Sequence, residues 1–258
     1  MNEAALVAVV KSSQRRTASD TRIDHEPGFV LHATPWRETS LIVDVLTRDH
    51  GRMALVARGA KRPTSQFRGL LSPFAPVALS WSGRGDIKTL VRVEWLGGLA
   101  PLRGDSLLAA FYLNELLVRL LARGDPHEGL FASYAQALHA LAADTRALEA
   151  TLRGFELDLL REVGWLPPLG HTGAGEAIEA NLTYRIDPQA GAHPVPVTER
   201  TESVWVVSGA ALQALAARHW PDAARAAECR RLLRALIAFH LEGRPLNTRR
   251  IFQDLRRL

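Results

Sequence analysis

The sequence predicts an α+β protein: a small closed barrel of five strands at the N-terminal end, then a mainly α-helical domain interrupted by a small irregular β insert. Three observations carry this reading. Between Phe29 and Leu96 the apolar residues recur at every second position in short runs, the pattern of strands with one buried side. At Asp105-Ser106 the repeat changes to helical spacing. Later, at about 167–207, neither period holds, and glycines and prolines crowd the chain.

Residues 1–26 mix charged and small polar side chains without sustained periodicity and read as a flexible tail. Strands are expected at Phe29–Ala33, Ser40–Thr47, Arg52–Ala57, Val77–Trp81 and Ile87–Leu96. In the second, Leu41, Val43, Val45 and Thr47 share a face, and across the Asp49-His50-Gly51 turn Met53, Leu55 and Ala57 share another. The opposite side of the third strand carries Arg52, Ala54, Val56 and Arg58, and the chain leaves it through Gly59, Lys61, Arg62 and Arg68. Val77, Leu79 and Trp81 are the expected inner side of the fourth strand; Ile87, Thr89, Val91, Val93 and Trp95 are that of the fifth. Between these two, Ser82-Gly83-Arg84-Gly85-Asp86 is a tight turn that carries a cation. Five short strands whose edges must be hidden suit an oligonucleotide-binding (OB) barrel over residues 27–104.

From 105 to 258 the reading is helical. Leu107, Leu108, Phe111, Tyr112, Leu116, Leu117, Leu120 and Leu121 form the first apolar stripe, with Asp105 as the expected N-cap and Gly124-Asp125-Pro126 as the stop. Helices follow at about 127–142 and 145–163. In the insert, a strand at Asn181–Ile186 is expected to pair with one at Val204–Val207. Ser208 then caps a helix over Ala210–His219, Asp222 caps another to about Leu241, and a last one starts at Asn247 or Thr248.

With 258 residues, 47% hydrophobic and 23% charged, the chain has room for two globular domains. No apolar run approaches the roughly 20 residues that cross a bilayer, and the patch Ala4–Val10, preceded by Glu3, is too short for a signal-peptide core. A cytoplasmic protein without a membrane partner is expected. The single Cys229 excludes an internal disulfide and any multi-cysteine metal site, and its helical setting suits a small buried filler. Motifs for a nucleophile elbow, a zinc protease helix and a P-loop are absent, and the nine histidines are scattered singly. No catalytic residue, metal or cofactor is therefore expected.

Charge is unevenly spread. Residues 1–105 hold 15 Lys/Arg against 10 Asp/Glu, residues 106–221 hold 8 against 13, and residues 222–258 hold 9 against 4. Two basic ends around an acidic middle point to a polyanionic partner, most often nucleic acid. The candidate contacts are Arg52, Arg58, Lys61, Arg62, Arg68, Arg84, Lys88 and Arg92 on one small barrel, with Trp36 and Phe67 in loops beside them. Phosphates are held by several cations along a groove, and bases by aromatic faces nearby. Taken singly, each arginine also suits a solvated surface, and either aromatic also suits a plug for the barrel end. The C-terminal stretch adds Arg230, Arg231, Arg234, Arg244, Arg249, Arg250, Arg256 and Arg257 as a second basic surface.

Several separated blocks, in order, resemble one family: FVLHATPWRETSLIVDVLTRDHGRMALVARGAKRP with FRGLLSPF, then GRGDIKTL, YLNELLVRLL, LRGFELDLLREVGW and GRPLNTRRIFQDL. Together they are similar to the bacterial RecO DNA-repair and recombination mediators, from about Gly28 to the C-terminus. The resemblance implies a non-enzymatic protein of the cytoplasm, associated with the nucleoid. It would bind single- and double-stranded DNA, promote annealing of complementary strands, contact the acidic tail of single-stranded-DNA-binding protein and, with RecR, help load RecA recombinase. Carried onto this chain, the family's basic pattern falls on Arg58, Lys61, Arg62 and Arg68, with Arg84 and Lys88 in GRGDIKTL. The LRGFE block places Arg153 where the family receives the acidic tail. Many such chains carry a four-cysteine zinc module after the GW block. Here that region, LGHTGAGEAIEANLTYRIDPQAGAHP, has no cysteine, and its strands are expected to be held by packing alone. The competing reading is a non-catalytic adaptor whose basic surface binds acidic peptide tails instead of nucleic acid.

Overall fold

The computed structural model describes residues 22–144, 147–196, 203–219, 223–248 and 251. Most of the expected tail and most of the last helix lie outside the described residues. The chain divides into two compact units, Met1–Thr145 and Arg146–Leu258.

The first unit is built on β1 (Arg22–Trp36), β2 (Ser40–Thr47), β3 (Gly51–Ala57), β4 (Pro76–Ser82) and β5 (Ile87–Trp95), closed into a barrel in the order β1-β2-β3-β5-β4. Closure gives every strand two neighbours, although β3 and β5 meet over only Ala54–Val56 and Ile87–Thr89, and β1 serves two neighbours in turn. Its first half pairs with β4 and its second half with β2, and a register shift between Val30 and His32 bends it from one to the other. The strand therefore starts at Arg22, and residues 22–26, expected in the tail, belong to the barrel: Ile23 faces Trp81 and Glu26 faces Leu79. Backbone pairing, with polar bonds to Ser80 Oγ and the buried Glu26 carboxylate, holds this stretch, so no apolar alternation announces it.

The barrel core is Val30, Val43, Val45, Met53, Leu55, Ala57, Val77, Leu79, Trp81, Leu90 and Val93, sealed by Phe67 from the β3–β4 connector. Alternation placed β2, β3 and β4 correctly. The fifth strand departs from expectation: Leu90 and Val93 are buried, while Ile87 and Val91 are 45% and 37% exposed. Trp81 pairs with Leu90 but the preceding Ser80 with Arg92, so Val91 is an extra residue that reverses the inward side.

Helices α1 (Gly104–Leu120) and α2 (Glu128–Ala143) complete this unit. The cap of α1 falls at Arg103 without a side-chain bond, and Asp105 instead sits in the first turn, where its charge suits the helix dipole. The stripe of α1 is centred on Ala109, Ala110, Leu113, Leu116 and Leu117; Phe111 lies off it, edge-on to Phe74 at 4.9 Å. Asn114, 3% exposed, donates Nδ2–H to the Leu31 carbonyl at 2.8 Å, and its Oδ1 accepts from the Tyr134 hydroxyl at 2.5 Å. One buried amide thus joins β1, α1 and α2.

The second unit comprises α3 (Leu148–Glu162), β6 (Thr183–Asp187), β7 (Gly191–Val195), β8 (Val206–Ser208), α4 (Gly209–Ala216) and α5 (Ala223–His240). Its sheet runs β7-β6-β8, antiparallel throughout, so the expected pairing of the two insert strands is present and β7 adds a third. Tyr184, Ile186, Ala192, Val206 and Val207 are buried, and the Tyr184 hydroxyl accepts from the Glu179 N–H at 2.9 Å. Gly209 passes so close that a Cβ would sit 1.9 Å from the Glu179 carbonyl oxygen. Ser208 caps α4 as expected, its Oγ accepting from the Ala211 N–H at 3.2 Å and donating to Glu228 at 2.7 Å. Cys229 is 1% exposed, the small filler the sequence suggested.

Candidate nucleic-acid interface

Strand register decides which cations meet. Ala33, Val43 and Leu55 face one another inside the barrel, so Thr34, Ile42 and Val56, one residue along each strand, face outward. Two residues further, Trp36 pairs with Ser40, and Arg58 follows Ala57, which pairs with Leu41. Trp36 and Ser40 therefore lie on one outward row, which Arg58, the first residue past β3, continues by the same register. The backbone of Arg58 lies two strands, about 10 Å, from that of Trp36, with only the small Ser40 between. Trp36 is 44% exposed and Arg58 is exposed.

The connector after β3 is fastened to the β1–β2 turn. Lys61 N–H donates to the Thr39 carbonyl at 2.8 Å, and Gly59 N–H to Ser40 Oγ at 3.4 Å. Lys61 and Arg62, both exposed, are thereby held beside the row. The sequence reading passed over one cation that the same turn supplies. Arg37, exposed at φ +53°, holds its guanidinium carbon 5.9 Å from the Trp36 ring centre. Its only sequence signal is its place between two strand runs.

The connector then recrosses the barrel, where Gln66 Nε2–H donates to the Val91 carbonyl at 3.2 Å. Phe67 is 5% exposed and fills the core, so it offers no face to a base. Arg68 is exposed and donates to the Pro63 carbonyl at 3.3 Å. Arg84 stands at the tip of the β4–β5 turn between Gly83 and Gly85, whose φ of +120° and +95° suit glycine. Lys88 lies beside Leu55 and shares the inward side of β5 with Leu90, half-buried, so it belongs to the barrel end and not to the outer row. None of Arg58, Lys61, Arg62, Arg68, Arg84 and Lys88 has a carboxylate within ion-pair distance among the described residues.

Two other cations are differently engaged. The Arg52 side chain is 12% exposed, donates to Asp44 at 2.9 Å and to the Leu121 carbonyl at 3.1 Å, and shares Asp44 with Arg123. Burial pulls its pKa below the ordinary arginine value, Asp44 opposes this, and Arg123 adds to it. Arg52 thus joins the barrel to the α1–α2 connection, its Nε and Nη1 both engaged within the unit. Arg92 is paired with Glu94.

In the second unit Arg153 is 3% exposed and ion-paired with the fully buried Glu156 at 2.8 Å and with Glu149 at 3.7 Å. The expected partner-binding role would need this guanidinium at the surface, and here it is held inside the unit. A charge so deep is stable only when paired, and here the pairing is internal to α3. Of the C-terminal arginines, Arg230 meets Glu149, Arg231 donates to the Val206 carbonyl and Arg244 meets Glu242; Arg249, Arg250, Arg256 and Arg257 lie outside the described residues. Among the described residues no three His, Cys, Asp or Glu side chains converge as metal ligands, and no helix is long and apolar enough to cross a membrane.

Comparison with known proteins agrees with this architecture. Residues 22–99 match the family model Recombination protein O N terminal, and residues 102–250 match Recombination protein O C terminal. A DNA repair protein RecO of Ralstonia nicotianae is 46% identical over 241 residues, 93% of this chain and 88% of its own length. Those of Cupriavidus pinatubonensis and Dechloromonas aromatica are 47% and 45% identical, covering 92% of this chain and 81% and 98% of their own. With both family models in sequence and this identity over most of its length, the chain belongs to the RecO family of DNA repair proteins, its OB-fold N-terminal.

Proposed function

We propose that this chain is a non-catalytic recombination mediator that binds single- and double-stranded DNA on the outer surface of its barrel. It promotes annealing and helps load RecA recombinase onto DNA covered by single-stranded-DNA-binding protein, with that protein's acidic tail and RecR as partners. The observation that carries the reading is the outward row of Trp36, Ser40 and Arg58, flanked by Lys61 and Arg62, on a fold whose strands 2 and 3 and adjoining loops are its usual oligonucleotide surface.

The mechanism is electrostatic. Two complementary strands repel through their phosphates, and a scaffold that neutralises both without reading bases lowers that barrier for any sequence. Arg58, Lys61 and Arg62 lead the contact, with Arg68 and Arg84 extending it and Lys88 meeting the strand at the barrel end; Arg52 fixes the barrel.

Binding of a labelled single-stranded oligonucleotide as a function of salt tests this. If six cations each meet one phosphate, log K falls by about four per tenfold rise in salt. Changing Arg58, Lys61 and Arg62 together to Ala halves that slope to about two and weakens binding at 0.1 M salt by about 100-fold. Arg52→Gln leaves the slope intact. A slope near zero, or one equal in wild type and triple variant, refutes the barrel path. Tighter salt-sensitive binding of an acidic peptide than of the oligonucleotide would favour the adaptor instead.

A further inference from the structure

We propose that Trp36 and Arg37 form a stacking step for one unpaired base, giving the chain a preference for single-stranded over double-stranded DNA; this rests on the DNA-binding reading above. Of the six tryptophans, Trp81 is buried in the barrel at 2% exposure, whereas Trp36 is 44% exposed on the outward row. Nothing in the core accounts for an indole there. Its neighbours are chosen for a nucleotide: a guanidinium at 5.9 Å from the ring centre, and a cationic segment tied to the same turn by Lys61 N–H to Thr39 and Gly59 N–H to Ser40.

The backbone of Arg37 supports the assignment. At φ +53° a non-glycine residue is disfavoured, yet the turn uses one whose long cationic side chain lies by the indole. Indole and guanidinium are both planar, and both stack on bases. Around them Arg58, Lys61 and Arg62 supply charge for the phosphates of the same strand.

Selectivity follows from geometry. In a duplex each interior base is covered on both faces, so only phosphates are offered to the row. A single strand can turn a base onto Trp36 while its backbone follows the cations. Stacking is independent of base identity, as a protein acting on any sequence requires.

The test compares affinity for an oligothymidine and for a duplex of equal length closed by linkers at both ends, in wild type, Trp36→Ala, Trp36→Phe and Trp95→Ala. Trp36→Ala should weaken single-strand binding about tenfold and duplex binding several-fold less, with the salt slope kept because no cation is lost; Trp36→Phe should retain most of the affinity. Trp95 is 66% exposed on β5 but follows Glu94, which is paired with Arg92, so Trp95→Ala should change neither affinity. Equal loss on both DNAs, no loss, or the same selective loss in Trp95→Ala overturns the stacking step. If wild type binds with a steep salt slope and Trp36→Ala behaves like it, only this inference falls. If wild type binds neither DNA, the DNA-binding reading falls with it.

Discussion

Deleting single atoms from the Leu31–Asn114–Tyr134 chain measures how the helices of the first unit are fastened to the barrel. Tyr134→Phe keeps the ring and its edge contact with Phe29, 5.2 Å between centres, and removes only the hydroxyl that Asn114 Oδ1 accepts from at 2.5 Å. The amide oxygen is then buried without that donor, at a cost of about 1.5 kcal/mol. Asn114→Leu takes the 2.8 Å donor from the Leu31 carbonyl and the acceptor from Tyr134, at about 3 kcal/mol. In the double variant the Asn114–Tyr134 bond is gone from both sides while the Leu31 carbonyl has lost its donor, so the combined cost is about 2 to 3 kcal/mol, smaller than the sum by more than about 1 kcal/mol. Urea denaturation followed by far-UV circular dichroism gives all three values. Costs that add to within about 0.5 kcal/mol, or a neutral Tyr134→Phe, refute the network. A pH series provides a second readout. Burial raises the Tyr134 phenol far above its usual 10.0, the Asn114 bond opposing, so the folded state holds a proton that the unfolded state releases. The stability this contributes is complete below pH 10 and declines as pH rises beyond it; Tyr134→Phe should flatten that decline.

Two further outcomes follow from buried groups of the second unit. Arg153→Ala strips the fully buried Glu156 of its 2.8 Å ion pair and should destabilise the unit by about 3 kcal/mol in urea, whereas Arg153→Met with Glu156→Gln, which removes both charges, should cost less; an Arg153→Ala as stable as wild type would return that guanidinium to the surface role. Burial, with Glu228 adding, pushes the Cys229 thiol up to about 11 from 9.0, so a thiol reagent at pH 8 should label it only after unfolding. Its stabilising share is complete below pH 9 and is lost between about 9 and 11, a loss that Cys229→Ala should abolish in pH-dependent urea titrations.

Much of the barrel was legible because a strand with one buried side writes its geometry as a period of two. Val43, Val45, Leu55, Leu79 and Trp81 were assigned to the core from that period alone and are all under 3% exposed. The period fails where an extra residue enters. At Val91 the bulge inverts the strand, and Ile87, apolar but outward, cannot be distinguished from a core residue by its type. It fails also where backbone pairing and polar side-chain bonds recruit a segment. Arg22, Glu26 and Pro27 carry no strand signal, yet each pairs with β4 because a closed barrel needs a partner for that edge, and Asp24 and His25 bulge between them.

The candidate site was legible as a density of charge and much less as a set of positions. Arg52 and Arg58 stand on the same side of β3, indistinguishable by alternation, yet Asp44 on β2 and the Leu121 carbonyl claim the first and leave the second. Only three-dimensional register could separate them. Arg37 was missed for the opposite reason, because a positive φ is a property of the closed turn and arginine is not the residue that signals it. A surface that must accept any sequence makes this difficulty general. It meets phosphates and base faces, which every nucleotide has, so its cations and aromatics need only reach a common row and need no fixed spacing along the chain. Catalytic motifs are spelled by spacing because their atoms must meet at one point. A row assembled from the end of β1, the start of β2 and the exit of β3 is spelled by pairing, and pairing is what a single sequence leaves implicit.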